Sequence, residues 1–248
     1  MTKTNLGVLL LHGWTGTRTM MRPLEGPLHA LGLPTRLPAL RGCEDGTPSA
    51  LLGVRWQDWL GDGRLALADL LGEVDKAMIV GHSMGGMIAL SLAASQPQDV
   101  DSVVTVGTPG KMLTPFAPGN ALHPLFRLLW RLIPTYDKGK LAYADPSAEQ
   151  LDDSLRQVPM FAIKQLFDFI RQQDDYLPRV HVPLLILQSR ADSACAPQSA
   201  EMLRERTSTP KADKRIAWFE RSEHGMFLDL ERDQVITEVL QFIQERMG

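Results

Sequence analysis

The chain of 248 residues has few cysteines and no long apolar run, and each shortage excludes a class of protein. Its two cysteines, Cys43 and Cys195, cannot form a disulfide framework, so we expect free thiols in a reducing cytoplasm. No apolar run approaches the roughly 18 residues of a membrane-spanning helix, and no integral membrane segment is predicted. The apolar run at 6–11 meets His12-Gly13 instead of a small-residue cleavage site, so it predicts a strand, not a signal peptide.

Excess charge of either sign is also lacking. The 26 Lys and Arg residues are scattered among 29 Asp and Glu residues, and the formal net charge is -3. Without a basic tract, the chain has no feature that favours nucleic acid or an anionic membrane as a partner. The composition is ordinary for a globular protein, and the length suffices for one sizeable core with one insertion.

Short apolar runs alternate with longer amphipathic stretches along most of the chain. The runs predict strands at 7–11, 34–38, 77–80, 100–106, 183–188 and 215–219, and the stretches predict helices at 21–31, 56–71, 84–94, 198–206 and 232–247. Nearly continuous apolar strands are typical of a parallel sheet that is covered on both faces. The pattern therefore predicts an α/β fold, with a mostly parallel sheet of about six or seven strands flanked by helices.

The alternation breaks between residues 110 and 182. Prolines punctuate this stretch, it contains no convincing strand, and two pieces of it, 122–133 and 160–170, are strongly apolar. We predict that 111–182 is an insertion forming a small helical cap, or lid. The core domain is then formed by 1–110 and 183–248.

The segment Gly-His-Ser-Met-Gly-Gly at 81–86 directly follows the apolar run 77–80 and precedes a helical stretch. Glycine two positions before and after Ser83 permits a tight turn between strand and helix, in which larger side chains would collide with the backbone. Such a turn, a nucleophile elbow, holds the serine hydroxyl over the end of the sheet. The segment predicts a serine hydrolase with Ser83 as nucleophile.

A serine hydroxyl needs a base, and the base needs an anion that orients it. Asp192 is the candidate anion and His224 the candidate base. Asp192 follows the strand predicted at 183–188, and His224 follows the next strand, so both are expected at the carboxyl ends of parallel strands. Asp213, a competing candidate for the anion, precedes a strand and is therefore expected at the opposite edge of the sheet. Asp229 is interpreted as a negative charge at the start of the last helix.

An oxyanion hole needs two backbone N–H groups aimed at the developing negative charge. Met84 directly follows the nucleophile and supplies one of them. The loop after the first strand, residues 11–16, contains two glycines, and the N–H of Trp14 is the second candidate. His82 is expected to point away from the serine and to serve in packing.

Five segments of the chain together resemble the α/β-hydrolases, and more narrowly the bacterial carboxylesterase and monoacylglycerol lipase group. They lie at residues 9–16, 56–59, 81–86, 188–192 and 222–225, and they span almost the whole sequence. The resemblance implies an α/β-hydrolase fold with a small helical cap. It also implies hydrolysis of short- to medium-chain acyl esters or monoacylglycerols.

The resemblance implies Ser83, Asp192 and His224 as the catalytic triad and Trp14 and Met84 as the oxyanion donors, in agreement with the interpretation of the residues themselves. The sequence departs from the family in two places. The first strand begins within about seven residues of the first methionine, which predicts a shortened sheet, and the loop 41–46 lacks the Gly-His-Gly turn of relatives.

The expected activity needs no metal and no cofactor. Apolar side chains of the insertion are expected to line an acyl pocket, and the candidates are Phe116, Leu122, Phe126, Trp130, Met160, Phe161 and Phe167. A small-molecule ester is the expected partner, and the chain is expected to be a monomer or a weak homodimer. The same scaffold also serves thioesterases, lactonases and amidases, and a ligand receptor without catalysis is a further alternative.

Overall fold

The computed structural model describes residues 4–139 and 142–247. The predictions for residues 1–3, 140, 141 and 248, including the exclusion of a signal peptide at the first residues, therefore lie outside the described residues. Eight strands are found in the described part: β1 Thr4–Leu11, β2 Thr35–Arg36, β3 Val74–His82, β4 Val100–Val106, β5 Thr135–Asp137, β6 Gln157–Pro159, β7 Leu184–Ser189 and β8 Lys214–Phe219.

Six of these strands form one sheet in the order β2-β1-β3-β4-β7-β8, and every neighbouring pair is parallel. The described α-helices are α1 Glu25–Ala30, α2 Trp56–Leu71, α3 Met84–Ser95, α4 His123–Leu129, α5 Met160–Arg171, α6 Gln173–Tyr176, α7 Gln198–Arg206 and α8 Arg232–Met247. The predicted α/β fold with a mostly parallel sheet is confirmed.

The two faces of the sheet are buried because neighbouring side chains of a strand point to opposite sides. Leu9 and Leu11 of β1 pack into a core cluster with side chains of α2 and α3. Val8 and Leu10 pack into a second cluster with side chains of α1 and α8. Both alternating sets are apolar, and this explains why the strand appears in the sequence as a continuous apolar run.

Parallel pairing brings the carboxyl ends of the strands to one edge of the sheet. Leu11 is opposite Gly81, His82 is opposite Val106, and Val106 is opposite Leu187. The loops that follow β1, β3, β4, β7 and β8 therefore meet along this edge. In open α/β sheets, this is the edge at which ligands bind.

The insertion contains a short hairpin, so the prediction that it has no strand is wrong. Strands β5 and β6 pair antiparallel, with Thr135 opposite Pro159 and Asp137 opposite Gln157. Each strand has three residues, and β5 is exposed along its whole length, so neither shows the alternation that identifies a strand.

The insertion packs on the core through α5, where the rings of Trp56 and Phe169 stack with their centroids 5.3 Å apart. The division into a core domain and a cap stays a prediction. None of the described helices is both long enough and apolar enough to cross a membrane.

Candidate active site

Ser83 occupies a strained turn between β3 and α3. Its φ is 52° and its ψ is -118°, in a region that residues with a side chain rarely adopt. A Cβ at Gly81 would overlap the carbonyl group of Gly85, and a Cβ at Gly85 would overlap that of Leu11. The glycines on either side of the serine are therefore required by close approach of the backbone, as the sequence predicts.

Three side chains from distant parts of the sequence form one hydrogen-bonded chain at this turn. The Ser83 hydroxyl and Nε2 of His224 are 3.0 Å apart. On the other side of the ring, Nδ1 of His224 lies 3.0 Å from Oδ2 and 3.1 Å from Oδ1 of Asp192. The predicted residues are thus brought together, with the imidazole between a hydroxyl and a carboxylate.

The electrostatics of the pair keep Asp192 ionised and make His224 a stronger base. Burial opposes ionisation of Asp192, yet the charge and hydrogen bond of His224 hold the pKa of the carboxyl below its usual value. Burial alone would lower the pKa of His224, but the carboxylate of Asp192 raises it well above its usual value. A base of raised pKa beside a hydroxyl is suited to removing its proton.

Asp192 is held in place by three further donors. The backbone N–H groups of Ala194 and Cys195 each donate to Oδ1 at 2.9 Å. Nε2 of Gln188, the next-to-last residue of β7, donates to Oδ2 at 3.1 Å. The competing Asp213 lies just before β8, at the opposite edge of the sheet, as predicted.

The loop that carries His224 is organised by two carboxylates, Glu231, which was not predicted from the sequence, and Asp229, whose role was predicted differently. Glu231 accepts hydrogen bonds from the N–H groups of residues 220–222, at 2.7 to 3.3 Å. Asp229 is fully buried and accepts the N–H of Glu223 at 2.6 Å. The interpretation of Asp229 as a charge at a helix start is wrong, because α8 begins at Arg232 and the carboxylate binds backbone N–H groups of loops.

The loop after β1 lies against the serine. A Cβ at Gly13 would be 3.2 Å from Cβ of Ser83, and Trp14 lines the cavity above it. His12 anchors this loop, since its Nδ1–H donates to the Gly13 carbonyl at 2.9 Å and its Nε2 accepts the N–H of Leu40 at 3.1 Å. Met84 is the first residue of α3, where N–H groups are free of helical partners.

His82 does not face away from the site, and that prediction is wrong. Its ring lies 5.0 Å from the ring of His224, and both rings line the cavity. Its Nε2–H donates to the backbone carbonyl of His224 at 2.8 Å. Burial, aided by His224, lowers the pKa of His82 to about 3, so the ring is neutral and positions the loop without adding charge.

Gly107 is a further requirement of the site that the sequence analysis missed. It directly follows β4 and has φ 55°, a conformation that favours glycine. A Cβ here would lie 3.3 Å from Oδ2 of Asp192 and 3.3 Å from Nδ1 of His224. The bare backbone therefore leaves room for the bond between these two side chains.

A cavity of about 770 Å³ opens above the serine and is lined mainly by apolar side chains of the insertion. Five of the seven predicted pocket residues line it: Phe116, Phe126, Trp130, Met160 and Phe167. Leu122 and Phe161 do not. Leu122 precedes α4, and Phe161 is one residue beyond Met160 on α5, about 100° around the helix from the cavity face.

Several other residues that were not predicted from the sequence line the cavity, among them Met112, Leu125, Leu129, Val158, Ile163 and Leu166. Those of α5 lie at helical spacing from Met160, which the sequence could have indicated. One group of described side chains, Asp192, Cys195 and His224, has ligand atoms within 4.8 Å of one another, as a metal site requires. A metal ion there would compete with the bond between His224 and Asp192.

The chain is similar to known ester-cleaving enzymes over nearly its whole length. A solved structure described as LipS and LipT, two metagenome-derived lipolytic enzymes, superposes with a TM-score of 0.86 at 25% identity, covering 98% of this chain and 95% of that one. A carboxylesterase of Bacillus subtilis (strain 168) is 25% identical over 96% of this chain and 92% of its own length. A thermostable monoacylglycerol lipase of Bacillus sp. (strain H-257) is 27% identical over 98% and 92%.

The chain is thus a hydrolase with the α/β-hydrolase fold. Residues 8–231 match the family described as serine aminopeptidase, S33, and the chain belongs to that family. The predicted resemblance to the bacterial carboxylesterase and monoacylglycerol lipase group is confirmed by the two Bacillus relatives.

Proposed function

We propose that the chain hydrolyses carboxylic esters through an acyl-enzyme on Ser83. The observation that carries this proposal is the hydrogen-bonded series of Ser83, His224 and Asp192 at the base of an apolar cavity. The hydroxyl is already within proton-transfer distance of the imidazole, and the imidazole is fixed by a buried carboxylate. This arrangement meets the requirements of nucleophilic catalysis by serine.

In the proposed reaction, Nε2 of His224 takes the Ser83 proton as Oγ attacks the ester carbonyl carbon. The alcohol then leaves with that proton, and the acyl group stays on Oγ. Water attacks the acyl-enzyme with His224 again as base, which releases the carboxylic acid and restores the serine. Asp192 holds the ring in the tautomer with Nδ1–H and stabilises the imidazolium that forms.

The proposed oxyanion donors are the backbone N–H groups of Trp14 and Met84. Support comes from the short distance between the Gly13 position and Ser83, and from the place of Met84 at the start of α3. Donors fixed by the backbone need no reorganisation as the negative charge develops.

The cavity favours an acyl chain of short to medium length or a monoacylglycerol. Its volume lies in the range of about 300–1,000 Å³ that is typical of small-molecule sites, and its walls are mostly apolar. The two Bacillus relatives, a carboxylesterase and a monoacylglycerol lipase, support the same substrate class. In this proposal the insertion acts as a lid over the acyl chain.

The test is a p-nitrophenyl ester series from acetate to palmitate, run beside monoacylglycerols, an acyl-CoA and a p-nitroanilide. We expect esters of intermediate chain length to be hydrolysed fastest and Ser83→Ala to abolish turnover while the protein stays folded. Full activity of the Ser83→Ala variant would overturn the assignment of the nucleophile. Faster cleavage of the acyl-CoA or the anilide would favour a thioesterase or an amidase.

The proposal includes activity without metal or cofactor, a monomer or weak homodimer, and no nucleic-acid partner. A cytoplasmic location is supported by the two thiols, since Cys43 and Cys195 are both buried and unpaired.

A further inference from the structure

Asp229 connects the inserted segment to the loop that carries His224. Its carboxylate is fully buried, and four backbone N–H groups donate to it. Two come from its own loop, those of Glu223 at 2.6 Å and Leu230 at 2.8 Å. The other two come from the insertion, those of Ala144 at 3.1 Å and Asp145 at 2.7 Å. Each carboxylate oxygen of Asp229 accepts one hydrogen bond from its own loop and one from the insertion.

The first of these donors is adjacent to the base. Glu223 directly precedes His224, so the bond from its N–H to Asp229 fixes the backbone on one side of the imidazole. The side chain of Glu223 also accepts the N–H of Ser193 at 3.0 Å, and Ser193 directly follows Asp192. Displacement of Glu223 would therefore disturb both partners of the hydrogen bond between His224 and Asp192.

The insertion also contacts the other side of the base. A Cβ at Gly225 would overlap the ring of Tyr143, so this ring lies directly against the residue after His224. Outside the buried region, Asp145 pairs with Arg232 at 3.4 Å. Residues 143–145 of the insertion thus lie directly against Gly225 on one side of the histidine and are linked to Glu223 on the other side through the carboxylate of Asp229.

A buried carboxylate is costly unless donors compensate it, and hydrogen bonds to a charged group are stronger than those between neutral groups. Among the described residues, Asp229 forms no ion pair, and backbone N–H groups provide its compensation. Because those groups belong to two segments, the segments cannot separate without leaving the charge poorly solvated. The carboxylate therefore favours a single relative position of the insertion and the histidine loop.

We propose that Asp229 is a positioning residue for His224 and that through it residues 143–145 of the insertion set the geometry of the catalytic base. The inference rests on the proposed function, because it assigns the base role to His224. Asp229 does not touch the reacting atoms. Its effect is on turnover, since a displaced base slows proton transfer while the apolar cavity still binds the ester.

The test uses Asp229→Asn, which keeps the shape but replaces one acceptor oxygen with a donating NH₂ group. Active sites are counted with a fluorophosphonate, so that misfolded molecules do not enter the rate. Per titrated site, we expect kcat to fall about 100-fold and KM to change less than about threefold. The acid limb of the kcat/KM profile should move to lower pH, because His224 loses part of its contact with Asp192.

Two further variants test the contribution of the insertion and the specificity of the Asp229 substitution. Ala144→Pro removes one donor on the insertion side without altering the histidine loop, and we expect a fall in kcat of about tenfold. Asp233→Asn is the matched control, the same change at an exposed position of α8, and it should leave both readouts unchanged.

Each outcome has one interpretation. If the unaltered enzyme is not labelled by the fluorophosphonate, the proposed function fails. If it is labelled but Asp229→Asn matches it in turnover per site and in pH profile, the positioning role is refuted. If Asp229→Asn is impaired while Ala144→Pro matches the unaltered enzyme, the coupling to the insertion is refuted.

Discussion

Replacement of Gly107 by alanine should damage the bond between His224 and Asp192 without removing any polar group. The new methyl group would lie 3.3 Å from both Oδ2 of Asp192 and Nδ1 of His224, so these atoms must yield by a few tenths of an ångström. A shift of that size at the base should lower kcat about tenfold and leave KM nearly unchanged. The left-handed φ of 55° adds backbone strain of about 1–2 kcal/mol.

The strain alone should lower the melting temperature by ~2–4 °C for each kcal/mol in a protein of this size. Gly46→Ala separates the two effects, because Gly46 has φ 66° and a Cβ there would meet nothing within 4 Å. Both variants should lose comparable stability in thermal unfolding, but only Gly107→Ala should lose turnover of p-nitrophenyl butyrate. Equal kcat values for the two variants would refute the steric argument.

Three further predictions test the site. Asp192→Asn should lower kcat by about 10⁴-fold with little change in KM, as measured with p-nitrophenyl esters, because the ring loses the acceptor that fixes its tautomer. The acid limb of kcat/KM should have its midpoint above 6.5, since only neutral His224 accepts a proton and Asp192 raises its pKa; a midpoint below 6.5 would contradict the stated cause. Ile163→Trp should shift the chain-length preference towards shorter esters, whereas Phe161→Trp, outside the cavity lining, should not.

The sequence predicts the sheet and most helices because their signals are local. The central strands β3, β4 and β7 contain buried apolar runs, and α2, α7 and α8 have the bounds that their apolar spacing predicts. The positions of Ser83, Asp192 and His224 follow from the same signal, since each comes directly after a strand or in the loop beyond it. Parallel pairing then brings the three loops to one edge.

What the sequence does not predict depends on contacts between distant segments. The role of Asp229 rests on N–H groups of residues 144 and 145, and nothing near residue 229 in the sequence indicates them. Gly107 is required by side chains more than 80 positions away. The hairpin of β5 and β6 is too short and too exposed to produce a period-two pattern.

In the pocket, too, the sequence indicates the helix but not all of the contacts that its side chains make. The apolar stretch at 160–170 predicts a helix, and helical spacing groups Met160 with Ile163 and Phe167. The packing of α5 on the core then decides that this group faces the cavity and that Phe161 packs near Trp130 instead, with ring centroids 6.4 Å apart.

The most direct test of the central claim is to trap the acyl-enzyme. The protein is mixed briefly with p-nitrophenyl decanoate, quenched in acid and analysed by intact mass and peptide mapping. We predict one added decanoyl group on the peptide that contains Ser83, and no addition in the Ser83→Ala variant. An acyl group on another side chain, or continued turnover by Ser83→Ala, would contradict the account.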